Sequence, residues 1–80
     1  MKLILIGTSW CAPCKAAKQI LDDKQMDYTY IDGDSEEGME KALATGARGF
    51  PVLIIQKENE PDQVSVGTSV INTLNKGVGL

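Results

Sequence analysis

The sequence predicts an α/β fold in which strands and helices follow one another in the order β-α-β-α-β-β-α. Three observations predict it: short apolar runs that end at glycines or prolines, intervening segments with apolar residues at helical spacing, and a length of 80 residues. That length suits one domain with a small core. We therefore expect a single domain over residues 1–80, built as a four-stranded mixed sheet with helices on both faces.

Four segments are predicted to be strands. The run "KLILI" at 2–6 and the run "PVLIIQ" at 51–56 are apolar and rich in β-branched residues, and the second is expected to be a central strand. The segments at 27–32 and 63–66 complete the sheet. A βαβ unit makes the first two strands parallel. A short turn makes the last two strands antiparallel.

The first helix is predicted from Pro13 to about Lys24, because Ala17, Ile20 and Leu21 fall on one face. Proline is well tolerated in the first turn of a helix, so this helix should begin close to the cysteines.

The second helix is predicted to begin at Asp34 as N-cap, with Glu37 three residues later, and to stop at Gly46. Its apolar face is expected to consist of Met39, Ala42 and Leu43. The last helix is predicted to be capped by Thr68 or Ser69 and to end before Gly77. Its apolar residues are Val70, Ile71 and Leu74.

The charge pattern argues against several classes of partner. The net charge is −3, and Arg48 is the only arginine, so we expect no nucleic-acid binding. The apolar run after Met1 is too short for a signal peptide, and no segment reaches membrane-spanning length. We expect a soluble, cytoplasmic monomer without a membrane partner.

Both cysteines of the chain, Cys11 and Cys14, lie in the segment "SWCAPCK" at 9–15. A structural disulfide is rare in the cytosol, and so short a loop would stabilise little. The chain has no histidine, so a four-ligand zinc site within it would need carboxylates to complete it, and Cys–His catalysis is excluded. Two inert apolar cysteines, or an iron–sulfur cluster shared between subunits, remain alternatives to redox chemistry.

The position of the pair at a strand–helix junction favours redox chemistry. A helix N-terminus lowers the pKa of a cysteine thiol there, and this acts on Cys11 more than on Cys14. Cys11 would attack a substrate disulfide, and Cys14, one turn further on, would displace the product.

The motif "WCAPCK" resembles the W-C-G-P-C-K motif of thioredoxins, with Ala12 in place of glycine. The segments at 46–55 ("GARGFPVLII") and 66–68 ("VGT") also resemble thioredoxin segments. In length the chain is similar to glutaredoxins and to the small redoxins that reduce ribonucleotide reductase. It lacks the C-P-Y-C, T-V-P and G-G-x-D motifs of glutaredoxins. It also has Leu5 where thioredoxins have a buried aspartate, and Tyr28 where they have its lysine partner.

The resemblance implies a minimal thioredoxin fold with Cys11 as nucleophile, Cys14 as resolving thiol and Pro51 as a cis-proline. The backbone of Phe50 would pair with an extended substrate segment. The implied substrate-binding surface consists of Trp10, Ala12, Pro13, Gly49, Phe50, Pro51, Gly67 and Thr68. Tyr28, Tyr30 and the methionines are interpreted as packing residues. Lys15 and Arg48 are interpreted either as solvated charges or as charges of the site, where Lys15 would assist the thiolate.

The resemblance further implies a dithiol–disulfide oxidoreductase that reduces protein disulfides, with ribonucleotide reductase as one candidate acceptor. Its partners would be a thioredoxin-reductase-like flavoenzyme and disulfide-containing proteins, with no metal and no tightly bound cofactor. One alternative is a glutathione-dependent glutaredoxin, but the start of the last helix lacks the acidic residue that pairs the glutathione amine. Another is a redox-inactive binding module of the same fold.

Overall fold

A computed structural model describes residues 2–47 and 49–76, and the predicted order of elements is confirmed. The expectations for Arg48 and for Gly77 as a helix stop lie outside the described residues. The elements are β1 (Lys2–Gly7), α1 (Ala12–Asp23), β2 (Thr29–Asp32), α2 (Glu36–Ala44), β3 (Val52–Gln56), β4 (Gln63–Val66) and α3 (Thr68–Lys76).

The four strands form one mixed sheet in the order β2-β1-β3-β4. Strand β1 is parallel to β2 and antiparallel to β3, and β3 is antiparallel to β4, as predicted. Ile6 is in register with Ile31 and with Val52, and Val52 with Val66. The carboxyl ends of β1, β2 and β4 therefore meet the amino end of β3 at one edge of the sheet.

Both faces of the sheet are buried, which explains why β1 and β3 read as continuous apolar runs. Alternate residues of each strand point to opposite faces. The face covered by α1 and α3, here called the α1 face, contains Leu3, Leu5, Ala17, Leu21, Leu53, Ile55, Val70 and Leu74. The opposite face, here called the α2 face, contains Ile4, Ile6, Ala42, Ala47, Val52 and Ile54.

Helix α1 begins one residue before the predicted Pro13, with Cys11 as its N-cap. Ala17 and Leu21 are buried on its inner face, as expected from their spacing. Strand β2 is shorter than predicted and begins at Thr29.

Helix α2 corrects two predictions. Its N-cap is Ser35 rather than Asp34, and the Ser35 hydroxyl accepts the backbone N–H of Gly38 at 3.0 Å. Its predicted apolar face is largely solvent-exposed, with exposures of 52% for Met39 and 72% for Leu43. The residues that face the sheet are Gly38 and Ala42. Glycine carries no hydrophobic signal, so the spacing of apolar residues misplaces this face by part of a turn.

The predicted stop of α2 is confirmed. Gly46 has a φ of +80°, a conformation that glycine adopts without strain, and its N–H donates to the carbonyl of Leu43. At the start of α3, Gly67 has a φ of +65° and its carbonyl accepts the N–H of Val70. Val70 and Leu74 then anchor α3 in the core.

Because Gly38 lies directly against the sheet, we expect its replacement to change the stability of the protein. A Cβ at this position would overlap the backbone carbonyl of Asp32, which cannot rotate away. Replacing glycine with alanine inside a helix normally stabilises it by about 1 kcal/mol. Here we expect Gly38→Ala to lower the free energy of unfolding by about 2 kcal/mol, because the helix must shift off the strand. Urea unfolding followed by circular dichroism measures the change.

The matched control is Gly49→Ala. A Cβ there would have no neighbour within 4 Å, so the free energy of unfolding should stay within about 0.5 kcal/mol of the parent. Stabilisation by Gly38→Ala would contradict the close approach of α2 to β2.

Candidate active site

The site lies at the sheet edge where the ends of all four strands meet. The loop after β1 holds Cys11, the residue before β3 is Pro51, and the turn after β4 contains Gly67. The N–H of Gly67 donates to the carbonyl of Pro51 at 2.8 Å, which ties the last two segments together. The Phe50–Pro51 peptide bond is cis, as predicted.

The two cysteines form a disulfide across the first turn of α1, with their Cα atoms 5.2 Å apart. Cys11 lies outside the helix as its N-cap, and its Sγ accepts the backbone N–H of Cys14 at 3.2 Å. Sulfur at this position faces the positive end of the helix dipole, which stabilises a thiolate. Cys14 lies within the helix and is 1% exposed. Cys11 is itself only 7% exposed, so the asymmetry between nucleophile and resolving thiol lies in the capping position of Cys11 rather than in exposure.

Gly7, the last residue of β1, allows the first turn of α1 to approach the sheet closely. A Cβ on Gly7 would lie 3.0 Å from the Cβ and 3.1 Å from the Sγ of Cys14. Both distances are shorter than ordinary carbon contacts, so a larger residue at this position would displace the disulfide.

Trp10 has a partner that the sequence did not reveal. Its side chain is 71% exposed, yet its indole N–H donates to Asp34 Oδ2 at 3.2 Å. Asp34 is held in turn, because its backbone N–H donates to Asp32 Oδ1 at 2.9 Å. This contact explains why Asp34 does not cap α2. Its carboxylate is directed to the tryptophan, and Ser35 takes the capping position.

An open groove of about 270 Å³ lies between α2 and the segment that precedes β3. The Phe50 ring covers Gly33, where no side chain could fit beneath it. Trp10 adjoins the groove through its bond to Asp34. We call this surface the α2 groove; it is lined by Gly33, Asp34, Met39, Ala42, Leu43, Ala47, Gly49 and Phe50.

The remaining residues of the predicted substrate-binding surface form two separate groups. Ala12 and Pro13 are exposed on the first turn of α1, beside the nucleophile in the chain. Gly67 is half-buried and bonded to Pro51, whereas Thr68 is exposed at the start of α3. Among the described residues, no hydrogen bond joins these two groups.

The structure adds three residues beside Cys14 that the sequence did not single out: Thr8, Lys18 and Tyr30. They line a second cavity of about 450 Å³, here called the Cys14 cavity, together with Ser9, Cys14 and Lys15. Tyr30 was interpreted as a packing residue, but it is 37% exposed and Lys18 Nζ lies 4.4 Å from its ring centroid. Burial, and then the negative charges of Asp32 and Asp34, raise the pKa of Tyr30.

Of the other described residues predicted to pack in the core, two do so and one does not. Tyr28 and Met26 pack against the α1-face core, as expected, whereas Met39 is exposed. The Tyr28 hydroxyl donates to Asp22 Oδ1 at 2.9 Å. Burial and this hydrogen bond raise the pKa of Tyr28.

Within residues 2–47 and 49–76, no three side chains of histidine, cysteine, aspartate or glutamate cluster as metal ligands do. In the same ranges, no helix is long and apolar enough to cross a membrane.

The geometry predicts unequal reactivity of the two cysteines in the reduced protein. Cys11 should be alkylated by iodoacetamide at least about tenfold faster than Cys14 at pH 7, because its sulfur caps the helix and Cys14 lies beneath Gly7. Mass spectrometry of fragment ions from the peptide that holds both cysteines, after short labelling times, measures both rates. Preferential labelling of Cys14 would reverse the assigned roles, and the Cys11→Ser and Cys14→Ser variants confirm which cysteine carries the label.

Comparison with known proteins shows the family of the chain. The Glutaredoxin family model matches residues 3–59. The thioredoxin of Staphylococcus haemolyticus is 30% identical over 71 residues, which cover 84% of this chain and 68% of that protein. The NrdH-redoxin of Escherichia coli, described as glutaredoxin-like with a thioredoxin-like activity profile, shares the fold with a TM-score of 0.74, at 22% identity over 100% of this chain and 99% of that one.

The glutaredoxin of Brucella melitensis also shares the fold, with a TM-score of 0.68 at 21% identity, covering 96% of this chain and 82% of that one. The family match, the homology to thioredoxin and the Cys11–Cys14 disulfide point to one activity, thiol–disulfide exchange. The chain is a thiol–disulfide oxidoreductase with a minimal thioredoxin fold, and it belongs to the glutaredoxin family within the thioredoxin/glutaredoxin superfamily.

Proposed function

We propose that this protein reduces disulfides of other proteins and is itself reduced by a thioredoxin-reductase-like flavoenzyme rather than by glutathione. The observation that carries the proposal is the α2 groove beside Trp10. Two large apolar side chains of this groove, Met39 and Leu43, are mostly exposed, although α2 packs against the α2-face core through its other side. Exposed apolar surface of this kind marks a protein contact.

The chemistry is a two-step exchange. The Cys11 thiolate attacks one sulfur of the substrate disulfide, which forms a mixed disulfide and releases the first substrate thiolate. The Cys14 thiolate then attacks Cys11 Sγ, the Cys11–substrate bond breaks, and the second substrate thiolate leaves. The substrate gains two electrons and two protons, and the dithiol becomes the Cys11–Cys14 disulfide. A reductase must return two electrons before the next cycle.

The lining of the α2 groove favours a protein partner over glutathione. Apart from the carboxylate of Asp34, the described side chains that line it are apolar. Glutathione carries two carboxylates, and no basic side chain is among the described residues that line the groove to pair with them. A protein partner can instead cover Met39, Leu43 and Phe50 with apolar surface of its own.

We include ribonucleotide reductase among the candidate substrates, because the chain resembles in length the small redoxins that reduce this enzyme. We also propose that the protein acts as a cytoplasmic monomer, since dithiols are kept reduced in the cytosol.

The choice of electron source is tested by insulin reduction. With NADPH and a thioredoxin reductase, we expect rapid turbidity from reduced insulin chains and steady NADPH oxidation. With NADPH, millimolar glutathione and glutathione reductase, we expect a rate at least about tenfold lower. The Cys11→Ser variant is the control and should be silent in both assays. Faster turnover with glutathione would identify a glutaredoxin in the narrow sense, and silence in both would identify a redox-inactive module.

The role of the α2 groove is tested by a charge placed within it. We expect Leu43→Asp to raise the KM for thioredoxin reductase at least about fivefold, the effect of losing roughly 1 kcal/mol of contact energy. Val64→Asp is the matched control, because Val64 is a 41% exposed apolar residue on β4, at the other edge of the sheet. Equal KM values for the two variants would show that the reductase docks elsewhere.

A further inference from the structure

In the second step of the exchange, the Cys14 thiol needs a proton acceptor. The buried aspartate that fills this role in thioredoxins is missing from this chain. Cys14 must lose its proton before it can attack Cys11 Sγ, because the thiolate is the nucleophile. Leu5 stands where thioredoxins have a buried aspartate, and it is fully buried among apolar residues of the α1 face. Apolar surroundings disfavour a thiolate, so the core side of Cys14 offers no acceptor.

The polar groups near Cys14 all lie on its other side, in the Cys14 cavity. Helix α1 contributes Lys15 and Lys18, strand β2 contributes Tyr30, and the loop after β1 contributes Thr8 and Ser9. The remaining elements around this cysteine contribute apolar residues, as the composition of the α1-face core shows. The carboxylates of Asp32 and Asp34 also act on Tyr30 and raise its pKa.

The position of the Tyr30 hydroxyl relative to Cys14 Sγ can be bounded from the structure. The point where a Gly7 Cβ would be built lies 3.1 Å from Cys14 Sγ and 3.4 Å from Tyr30 Oη. The two atoms are therefore at most about 6.5 Å apart, close to the span that one water molecule bridges. Lys18 Nζ, 4.4 Å from the Tyr30 ring centroid, holds the ring and brings a positive charge to the same cavity.

Two further features of the cavity suit a thiolate. Thr8 lines this cavity and is 1% exposed, and its buried hydroxyl oxygen has no hydrogen-bond partner in the described structure. An unpaired buried hydroxyl is costly, and a thiolate or its hydrating water would satisfy it. Burial and the carboxylates of Asp32 and Asp34 raise the pKa of Tyr30, so its hydroxyl stays a hydrogen-bond donor over the pH range in which a cysteine thiol titrates.

We propose that Tyr30, held by Lys18, stabilises the Cys14 thiolate through a water of the Cys14 cavity and so replaces the missing buried aspartate. The proton of the Cys14 thiol passes to this water and then to solvent. The thiolate attacks Cys11 Sγ, a sulfur–sulfur bond forms between the cysteines, and the bond to the substrate breaks. The leaving substrate thiolate takes a proton from solvent. Tyr30 is a positioning residue and is itself neither oxidised nor deprotonated.

The inference rests on dithiol–disulfide exchange but not on the identity of the reductase. The test can therefore be made without any reductase. In the Cys11→Ser background, Cys14 is the only cysteine, and its alkylation by iodoacetamide is followed from pH 6 to 10 by mass spectrometry. We expect Tyr30→Phe to move the midpoint of this profile upward by about one pH unit, a tenfold loss of thiolate at a fixed pH. Lys18→Gln should move it in the same direction.

Tyr28→Phe is the matched control, because Tyr28 lies two residues away on the chain and its hydroxyl is bonded to Asp22. It should leave the midpoint unchanged. Phenylalanine keeps the ring that Lys18 covers, so packing is preserved in both variants, which unfolding in urea verifies. Equal midpoints for Tyr30→Phe and Tyr28→Phe would overturn the proposal.

A second measurement separates this step from the first one. With both cysteines present, Tyr30→Phe should slow the decay of a mixed disulfide between Cys11 and a small aromatic thiol by about tenfold at pH 7, and by less at pH 9. The rate at which that mixed disulfide forms should be unchanged. Slowing of formation instead of decay would mean that Tyr30 acts on Cys11.

Discussion

The first turn of α1 sits directly on the end of β1, and this contact fixes the geometry of the whole site. Gly7 favours this contact because a Cβ there would lie 3.0 Å from the Cβ and 3.1 Å from the Sγ of Cys14, closer than ordinary contacts. The same glycine accepts the N–H of Gly33 through its carbonyl at 2.7 Å, which holds the end of β2 beside it. The helix N-terminus, the disulfide and Tyr30 are thus all positioned by one residue of β1.

Much of the fold was predictable because it depends on signals that neighbouring residues carry. The apolar runs of β1 and β3, the face of α1 defined by Ala17 and Leu21, and the glycine that ends α2 are all local patterns. The face of α2 was not predictable in this way. It packs through Gly38 and Ala42, whose small size allows close approach to β2, and small residues give a weak hydrophobic signal.

In the site, the dithiol and Pro51 could be identified from their motifs, whereas contacts between distant segments could not. Trp10 and Asp34 are 24 residues apart, and locally Asp34 resembles a helix cap. Only the tertiary structure shows that the Asp34 carboxylate accepts the indole N–H, and that Ser35 instead caps α2. Tyr30 was missed for the same reason, because its position beside Cys14 depends on the register of β1 with β2.

The two surfaces beside the dithiol lie on opposite faces of the sheet. The α2 groove belongs to the face that contains Ile31 and Ala42, whereas Tyr30, adjacent to Ile31 in β2, points to the face of α1 and Cys14. A protein that covers the α2 groove therefore leaves the Cys14 cavity open to solvent. If the partner docks on the α2 groove as proposed, it does not compete for space with proton release from the Cys14 cavity. This separation matters here because Leu5, which is fully buried and apolar, offers Cys14 no proton acceptor on the core side.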